Sequence, residues 1–305
     1  IVLGVGSFLW KDSNPLKLQN NHSEINTYSD ITESSGVIFN PNSKPQNYSS
    51  SGIIILDFDN DNFEDIYVVN SNGSNKLFHN NGDKSFLDIT ESAKVSDTSS
   101  LGIGGCSADY NNDGNEDIFV TNKGANTLFK NNGNGTFSKI DTNINKDTSH
   151  SIGCAWGDFN NDGFLDLIYT NLSDDITNSI KLYINSKNNK FEEINSIKND
   201  LKTKINNNQA MLQPAFIDTN NDGKLDIVVI SKNLETGELS QLIWINSMKT
   251  LNDKTIFEFN FSKKLISSAE NNTETRIRRI HFGNDIFISE AGEVALIKNS
   301  IDTPF

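Results

Sequence analysis

The stretch Asp158-Phe-Asn-Asn-Asp-Gly-Phe-Leu-Asp166 decides the fold, because the chain carries four copies of its pattern without gaps. The copies are Asp57–Asp65, Asp109–Asp117, Asp158–Asp166 and Asp218–Asp226, numbered here loops 1 to 4. Their starts lie about 50 to 60 residues apart, a period typical of solenoids, propellers and tandem arrays. The chain is therefore expected to consist of similar structural units.

The segments around each loop indicate short β-strands. In the first repeat, Gly52-Ile-Ile-Ile-Leu56 precedes the loop and Ile66-Tyr-Val-Val69 follows it. A hairpin signature, Leu77-Phe-His-Asn-Asn-Gly82, and a last run, Phe86-Leu-Asp-Ile-Thr90, complete the unit. Helical periodicity is absent from the repeats. Four short antiparallel strands per repeat predict an all-β fold, a β-propeller of four-stranded blades.

We expect the propeller to extend over residues 28–305, with at least four complete blades and a partial fifth. The predicted repeats are about 51–101, 102–150, 151–210 and 211–275, followed by the partial unit 276–305. An unpartnered outer strand, Tyr28–Thr32, either closes a five-bladed ring or belongs to a fragment of a roughly seven-bladed one. We favour the fragment, because the chain stops where an outer strand should start.

Residues 1–27 are interpreted as an N-terminal tail. Its first part, Ile1–Trp10, is apolar, and ten residues are too few to span a bilayer. It is the remnant of a signal or anchor segment, or a packing strand, and the pattern does not separate these alternatives.

Each loop has the composition of a calcium-binding loop. Ca²⁺ takes six to eight oxygen ligands. Asp or Asn stands at positions 1, 3, 5 and 9 of each loop, and a backbone carbonyl at position 7 would add a further oxygen. Position 6 is Gly in three loops and Asn62 in loop 1, both of which tolerate positive φ. About four ions are expected. The predicted ligands are Asp57, Asp59, Asp61, Phe63, Asp65, Asp109, Asn111, Asp113, Asn115, Asp117, Asp158, Asn160, Asp162, Phe164, Asp166, Asp218, Asn220, Asp222, Lys224 and Asp226.

These loops are not EF-hands. Position 12 of an EF-hand is a bidentate Glu, whereas here it is Val68, Val120, Tyr169 or Val229, and the flanks are β-branched. The Asp at position 9 is therefore expected to close the site.

The net charge of −14 agrees with metal binding and opposes nucleic-acid binding. Loop 1 carries four Asp at ligand positions and each other loop carries three. Without a cation these carboxylates repel one another, so the fold should depend on calcium.

Loops and flanking strands together resemble the FG-GAP or VCBS repeats of integrin α-subunit propellers and of bacterial and archaeal surface proteins. Two segments, Tyr28–Val37 and Phe86–Val95, resemble the variant found in ASPIC/UnbV and cartilage acidic protein-like chains. The resemblance implies a calcium-stabilised propeller. Members of the family include adhesion modules, lectin-like binders and some polysaccharide-degrading enzymes, so the fold does not fix the function.

We expect a secreted, extracellular or periplasmic binding or adhesion module, or a subunit of a surface assembly, with structural calcium. Its partner would be a protein, a glycan or another subunit, and a membrane would be reached only through an N-terminal anchor. The alternative is a propeller lyase or hydrolase acting on polysaccharide. We favour a non-enzymatic role, because the sequence contains no catalytic motif and the loops account for the obvious carboxylates. Trp244 is interpreted as a core residue, with sugar stacking as the alternative.

Two cysteines, Cys106 and Cys154, precede loops 2 and 3 by three and four residues. Because side chains alternate along a strand, this offset points the two thiols to opposite faces of equivalent strands. Buried free thiols are therefore expected in preference to a disulfide, which an oxidising compartment would allow.

Overall fold

A computed structural model describes residues 32–37, 52–71, 73–97, 101–251, 254–267, 286–290 and 293–297. Strands dominate these residues, and their α-helices are α1 (Thr32–Ser35) and α2 (Lys198–Lys204). The predicted all-β fold is confirmed.

Blade 1 is a four-stranded antiparallel sheet in the order β1-β2-β3-β4. Its strands are β1 (Ile53–Leu56), β2 (Asp65–Val68), β3 (Lys76–Asn80) and β4 (Phe86–Asp88). Leu56 pairs with Asp65, so loop 1 connects β1 to β2 and its last residue is the first residue of β2.

Blades 2 and 3 repeat this arrangement. Blade 2 contains β5 (Leu101–Ala108), β6 (Asp117–Lys123), β7 (Thr127–Asn131) and β8 (Phe137–Ile140). Blade 3 contains β9 (His150–Gly157), β10 (Asp166–Leu172), β11 (Ile180–Asn185) and β12 (Phe191–Glu193). Pairing of Lys123 with His150 joins β6 to β9.

Blade 4 has the order β13-β14-β15-β18. Its strands are β13 (Gln209–Ile217), β14 (Asp226–Asn233), β15 (Leu239–Asn246) and β18 (Phe259–Ser267), and a hairpin of β16 (Lys249–Leu251) and β17 (Lys254–Ile256) is inserted between the last two. A final hairpin pairs β19 (Ile286–Glu290) with β20 (Glu293–Ile297). The four predicted four-stranded blades are thus present, and the number of blades in the ring stays a prediction.

The predicted outer strand near residue 30 is wrong at its end. Thr32 begins α1 instead of ending a strand, and residues 28–31 lie outside the described residues. Gly36, with a φ of 80°, follows this helical turn as a left-handed residue that commonly stops a helix.

The chain divides into two compact units, each with its own core. Unit 1 comprises Ile1–Cys154 and Asn185–Glu192, and unit 2 comprises Ala155–Ile184 and Glu193–Phe305. In unit 1 a cluster around Tyr67 contains apolar side chains of blades 1 and 2. In unit 2 a cluster around Trp244 includes residues from blade 4 and from α2. The interpretation of Trp244 as a core residue is confirmed, because its side chain is fully buried and cannot stack on a sugar.

The expectation of free thiols is wrong. Cys106 and Cys154, both in unit 1, form a disulfide with their Cα atoms 6.0 Å apart. The alternation of side chains along one strand does not decide which thiols meet. In unit 1 the β5 segment around Gly104 and the β9 segment around Ile152 lie against each other. A Cβ atom at Gly104 would lie 2.5 Å from the carbonyl oxygen of Ile152. The side chains of Cys106 and Cys154 can therefore meet between these two strand segments.

Candidate metal-binding loops

All four loops fold around the carboxylate at position 1. In loop 1, Asp57 accepts hydrogen bonds from the backbone N–H groups of Asp61 (3.1 Å) and Asn62 (2.9 Å). The same pair of bonds is made to Asp109, Asp158 and Asp218. The carboxylate at position 5 in turn accepts from the N–H of position 7, as Asp61 does from Phe63 at 2.8 Å. These bonds hold the backbone of positions 5 to 7 around the carboxylates of positions 1 and 5.

The tight turn needs two left-handed residues in each loop. Position 6 has positive φ throughout, including 70° at Asn62, as the sequence predicts. Position 4 is also left-handed, with φ between 57° and 61°, and the sequence analysis missed this feature. Its residues are Asn60, Asn112, Asn161 and Asn221. Asn is among the non-glycine residues that adopt this conformation most readily, which accounts for its presence at position 4 of every loop.

The predicted closing carboxylates are buried in all four loops. Each is the first residue of the second strand of its blade and is at most 1% exposed. Asp65 accepts hydrogen bonds from the backbone N–H groups of Phe58 (3.1 Å) and Asn80 (2.7 Å). The corresponding residues are Asp117, Asp166 and Asp226.

Burial makes the charged form of these carboxylates costly. Loss of solvent raises the pKa of Asp65 to about 6 and that of Asp117 to about 7, even though both accept backbone hydrogen bonds. A nearby cation would offset this cost. The buried oxygens therefore suit a bound metal ion.

Loop 1 brings its predicted side-chain ligands together. Oxygen atoms of Asp57, Asp59 and Asp65 lie within 4.8 Å of one another, and so do ligand atoms of Asp59, Asp61 and His79. His79 is a residue that the sequence analysis missed: its Nδ1 atom lies 3.1 Å from Asp65 Oδ1 and 3.6 Å from Asp59 Oδ2. The register of β2 and β3 would have predicted this contact, because Ile66 pairs with Phe78 and the next pair would be Asp65 with His79.

Loop 2 holds a side-chain cation instead. The Nζ atom of Lys130 lies 2.6 Å from Asp113 Oδ2, and the Asn111 amide donates to Asp117 Oδ2 at 3.1 Å. In loop 3 the Asn160 amide donates to Asp162 at 3.1 Å, and loop 4 has the equivalent bond. To offer oxygen to a metal, these Asn amides would have to turn over.

The donor chemistry fits calcium. Loop 1 offers four carboxylates at the predicted side-chain positions, and loops 2 to 4 each offer three carboxylates and one amide. Such hard oxygen ligands are what Ca²⁺ prefers. The sites would be held by the carboxylates and amides of positions 1, 3, 5 and 9, and the role of the position 7 carbonyls stays a prediction.

A set of Asn residues at the ends of the third strands contacts the closing carboxylates, which the sequence did not predict. Their backbone N–H groups donate to the closing carboxylates, at 2.7 Å for Asn131 and 2.8 Å for Asn246. Asn131 stands in the hairpin signature of the second repeat, Leu128-Phe-Lys-Asn-Asn-Gly133, which predicts a turn, whereas Asn246 stands in no predicted signature. Their contacts to a neighbouring blade are not visible in any local pattern.

Blade architecture and acidic loops together define a class, that of propeller-type repeat proteins with an acidic loop between the first two strands of each blade. Comparison with known proteins narrows it: a family model described as an FG-GAP-like repeat matches residues 57–120 and 109–169. Residues 57–169 therefore contain two FG-GAP-like repeats.

Curated relatives agree with this family. Residues of this chain are 48% identical to Cartilage acidic protein 1 of Homo sapiens over 58 residues, which are 19% of this chain and 9% of the relative. They are 42% identical to the Xenopus tropicalis protein over 79 residues, 26% of this chain and 12% of the relative. The chain thus matches only about a tenth of the length of these relatives.

One similar solved structure is a lectin of Agrocybe aegerita that specifically recognises non-reducing terminal N-acetylglucosamine. It is 16% identical, with a TM-score of 0.47, and the match covers 93% of this chain and 74% of that one.

The helices of the described residues include none long and apolar enough to cross a membrane. The family and its curated relatives indicate an extracellular, propeller-like module.

Proposed function

We propose that this protein is a calcium-stabilised extracellular binding module. The observation that carries the proposal is the fourfold repetition of one loop geometry, in which the carboxylate at position 1 accepts two backbone N–H groups and the predicted closing carboxylate at position 9 is buried. In loop 1, oxygen atoms of Asp57, Asp59 and Asp65 also lie within 4.8 Å of one another. One Ca²⁺ per loop, about four in all, would offset more than half of the net charge of −14. The ions are structural: they tie the first two strands of a blade together.

Calorimetric titration of the metal-free chain with calcium tests this proposal. We expect about four ions per chain, and three after Asp162→Asn, because position 5 is Asp in every loop. The matched control is Asp83→Asn, an exposed acidic residue in a turn outside the loops. No heat of binding, or the same stoichiometry in Asp162→Asn as in the control, would refute calcium binding at these loops.

The compartment follows from the same chemistry. Extracellular calcium is concentrated enough to fill sites of modest affinity, and the Cys106–Cys154 disulfide suits an oxidising environment. A secreted or periplasmic location is therefore proposed.

The proposed role is adhesion or ligand binding, with a protein, a glycan or another subunit of a surface assembly as partner. The FG-GAP-like repeats support this role, because proteins with such repeats include adhesion modules and lectin-like binders. A glycan array and a screen of extracellular proteins, each run with calcium and with EDTA, test it. Binding that requires calcium is expected, and failure to bind in both screens would overturn the role without affecting the calcium sites.

A further inference from the structure

Asn131 connects loop 2 to loop 1 through hydrogen bonds. Its backbone N–H donates to Asp117 Oδ1 at 2.7 Å, and its side-chain Nδ2 donates to the carbonyl oxygen of Phe58 at 2.7 Å. The backbone N–H of Phe58 donates to Asp65 Oδ2 at 3.1 Å. Three hydrogen bonds therefore join the closing carboxylate of loop 2 to that of loop 1 through one side chain and one residue of backbone.

The same connection recurs in unit 2. The backbone N–H of Asn246 donates to Asp226 Oδ1 at 2.8 Å, and its Nδ2 donates to the carbonyl oxygen of Phe159 at 2.8 Å. Phe159 in turn donates its N–H to Asp166 Oδ2 at 3.2 Å. Loops 3 and 4 are thus joined as loops 1 and 2 are. In unit 1, Asn185 makes the corresponding amide bond to Tyr110 at 2.7 Å.

These amides are held in one orientation. Asn131 is fully buried, its Oδ1 accepts from the N–H of Gly133 at 3.0 Å, and its Nδ2 also donates to Glu116. Asn246, 1% exposed, has the equivalent partners Met248 and Leu225. A buried amide whose donors and acceptor are all used fixes the geometry of the groups it joins. The bonded residue Phe58 lies between two predicted ligands, Asp57 and Asp59, so its position bears directly on the metal site.

We infer that Asn131 and Asn246 are positioning residues that make calcium binding cooperative within two pairs of loops, loops 1 and 2 and loops 3 and 4. The inference rests on the proposed calcium function. An ion in loop 1 orders Asp65 and the backbone at Phe58, and Asn131 passes this order to Asp117. The second ion then binds a loop that is already partly ordered, so its binding costs less conformational entropy. Coupling between sites in proteins typically changes affinity about 5- to 150-fold.

A loop knock-out measures the coupling in the full chain, with calcium itself as the probe. Asp61→Ala removes the site in loop 1 without altering Asp65 or Asn131. We expect it to remove one calcium site and to weaken one of the remaining sites about fivefold or more. In an Asn131→Ala background, the same substitution should remove one site and leave the affinities of the others unchanged. The matched control is Asn132→Ala, an exposed residue of the same turn, which should keep the coupling.

The outcomes separate this inference from the function on which it rests. Weakening of a second site by Asp61→Ala supports the coupling, and its absence refutes it, even if Asn131→Ala does not fold. Weakening that persists in Asn131→Ala refutes the assigned role of Asn131. Four sites that fill independently overturn the coupling alone, whereas a chain that binds no calcium overturns the proposed function itself.

Discussion

Removal of the Cys106–Cys154 disulfide should destabilise the protein strongly. The two residues are 48 positions apart, and both side chains are buried. A cross-link of this span restricts the unfolded chain enough to contribute about 4 kcal/mol at 25 °C in the chain-entropy model. We expect the double substitution Cys106→Ala and Cys154→Ala to lower the free energy of unfolding by about this amount, and the single substitution Cys106→Ala to do so as well, because either breaks the bond.

Guanidinium unfolding followed by far-ultraviolet circular dichroism, at constant saturating calcium, measures the loss. Unit 1, which contains the bond, should unfold at lower denaturant concentration, and reduction of the unmodified protein should produce the same shift. A second assay tests the bond itself, since the denatured, unreduced chain should not react with a thiol alkylating reagent. Reaction of both thiols without reductant, or an unchanged unfolding midpoint in the double variant, would refute the reasoning.

Three further predictions concern the loops and the close approach of β5 to β9 at Gly104. Chelation with EDTA should lower the unfolding midpoint, since each site contributes about 2.7 kcal/mol when calcium exceeds its Kd a hundredfold, and an unchanged midpoint would contradict structural calcium. Asp117→Ala should abolish one site in calorimetry and cost about 1–3 kcal/mol in EDTA, because it leaves buried donors unsatisfied; a variant as stable as the parent would contradict this. Gly104→Ala should cost about 1–3 kcal/mol in denaturant unfolding, because the new Cβ would approach the Ile152 carbonyl to 2.5 Å. Leu101→Ala, exposed on the same strand, is its control, and equal effects would argue against the close approach.

Local chemistry was predictable from the sequence. Spacing within one loop predicts Asp65 as the closing ligand, and the structure buries this residue at the start of β2, with an oxygen within 4.8 Å of oxygens of Asp57 and Asp59. The strands were predictable for the same reason, since β-branched runs and Asn-Gly turns act over a few residues. Asn62 shows how far this reasoning extends: its left-handed conformation follows from the need for a turn at position 6.

Contacts between strands distant in sequence were not predictable in this way. The disulfide depends on which face of β5 meets β9, and no spacing within one repeat contains that information. The role of Asn131 depends on Phe58, more than seventy positions earlier. His79 is an intermediate case, because the register of β2 and β3 places it opposite Asp65 once the hairpin pairing is known.

The predicted closing Asp residues would couple the proposed metal binding to the fold. Each one is the last residue of a loop and the first of a strand, so the geometry that would close a metal site also sets where the second strand begins. Asp65 accepts one N–H from its own loop and one from β3, and it is therefore fixed by three parts of the blade at once. A shorter or apolar side chain would leave those buried N–H groups unpaired, with or without calcium. Position 9 is Asp in all four repeats, as positions 1 and 5 are, whereas position 3 is Asp or Asn and position 6 is Gly or Asn. At position 9 the need to pair these buried N–H groups is a reason for Asp that does not depend on a metal.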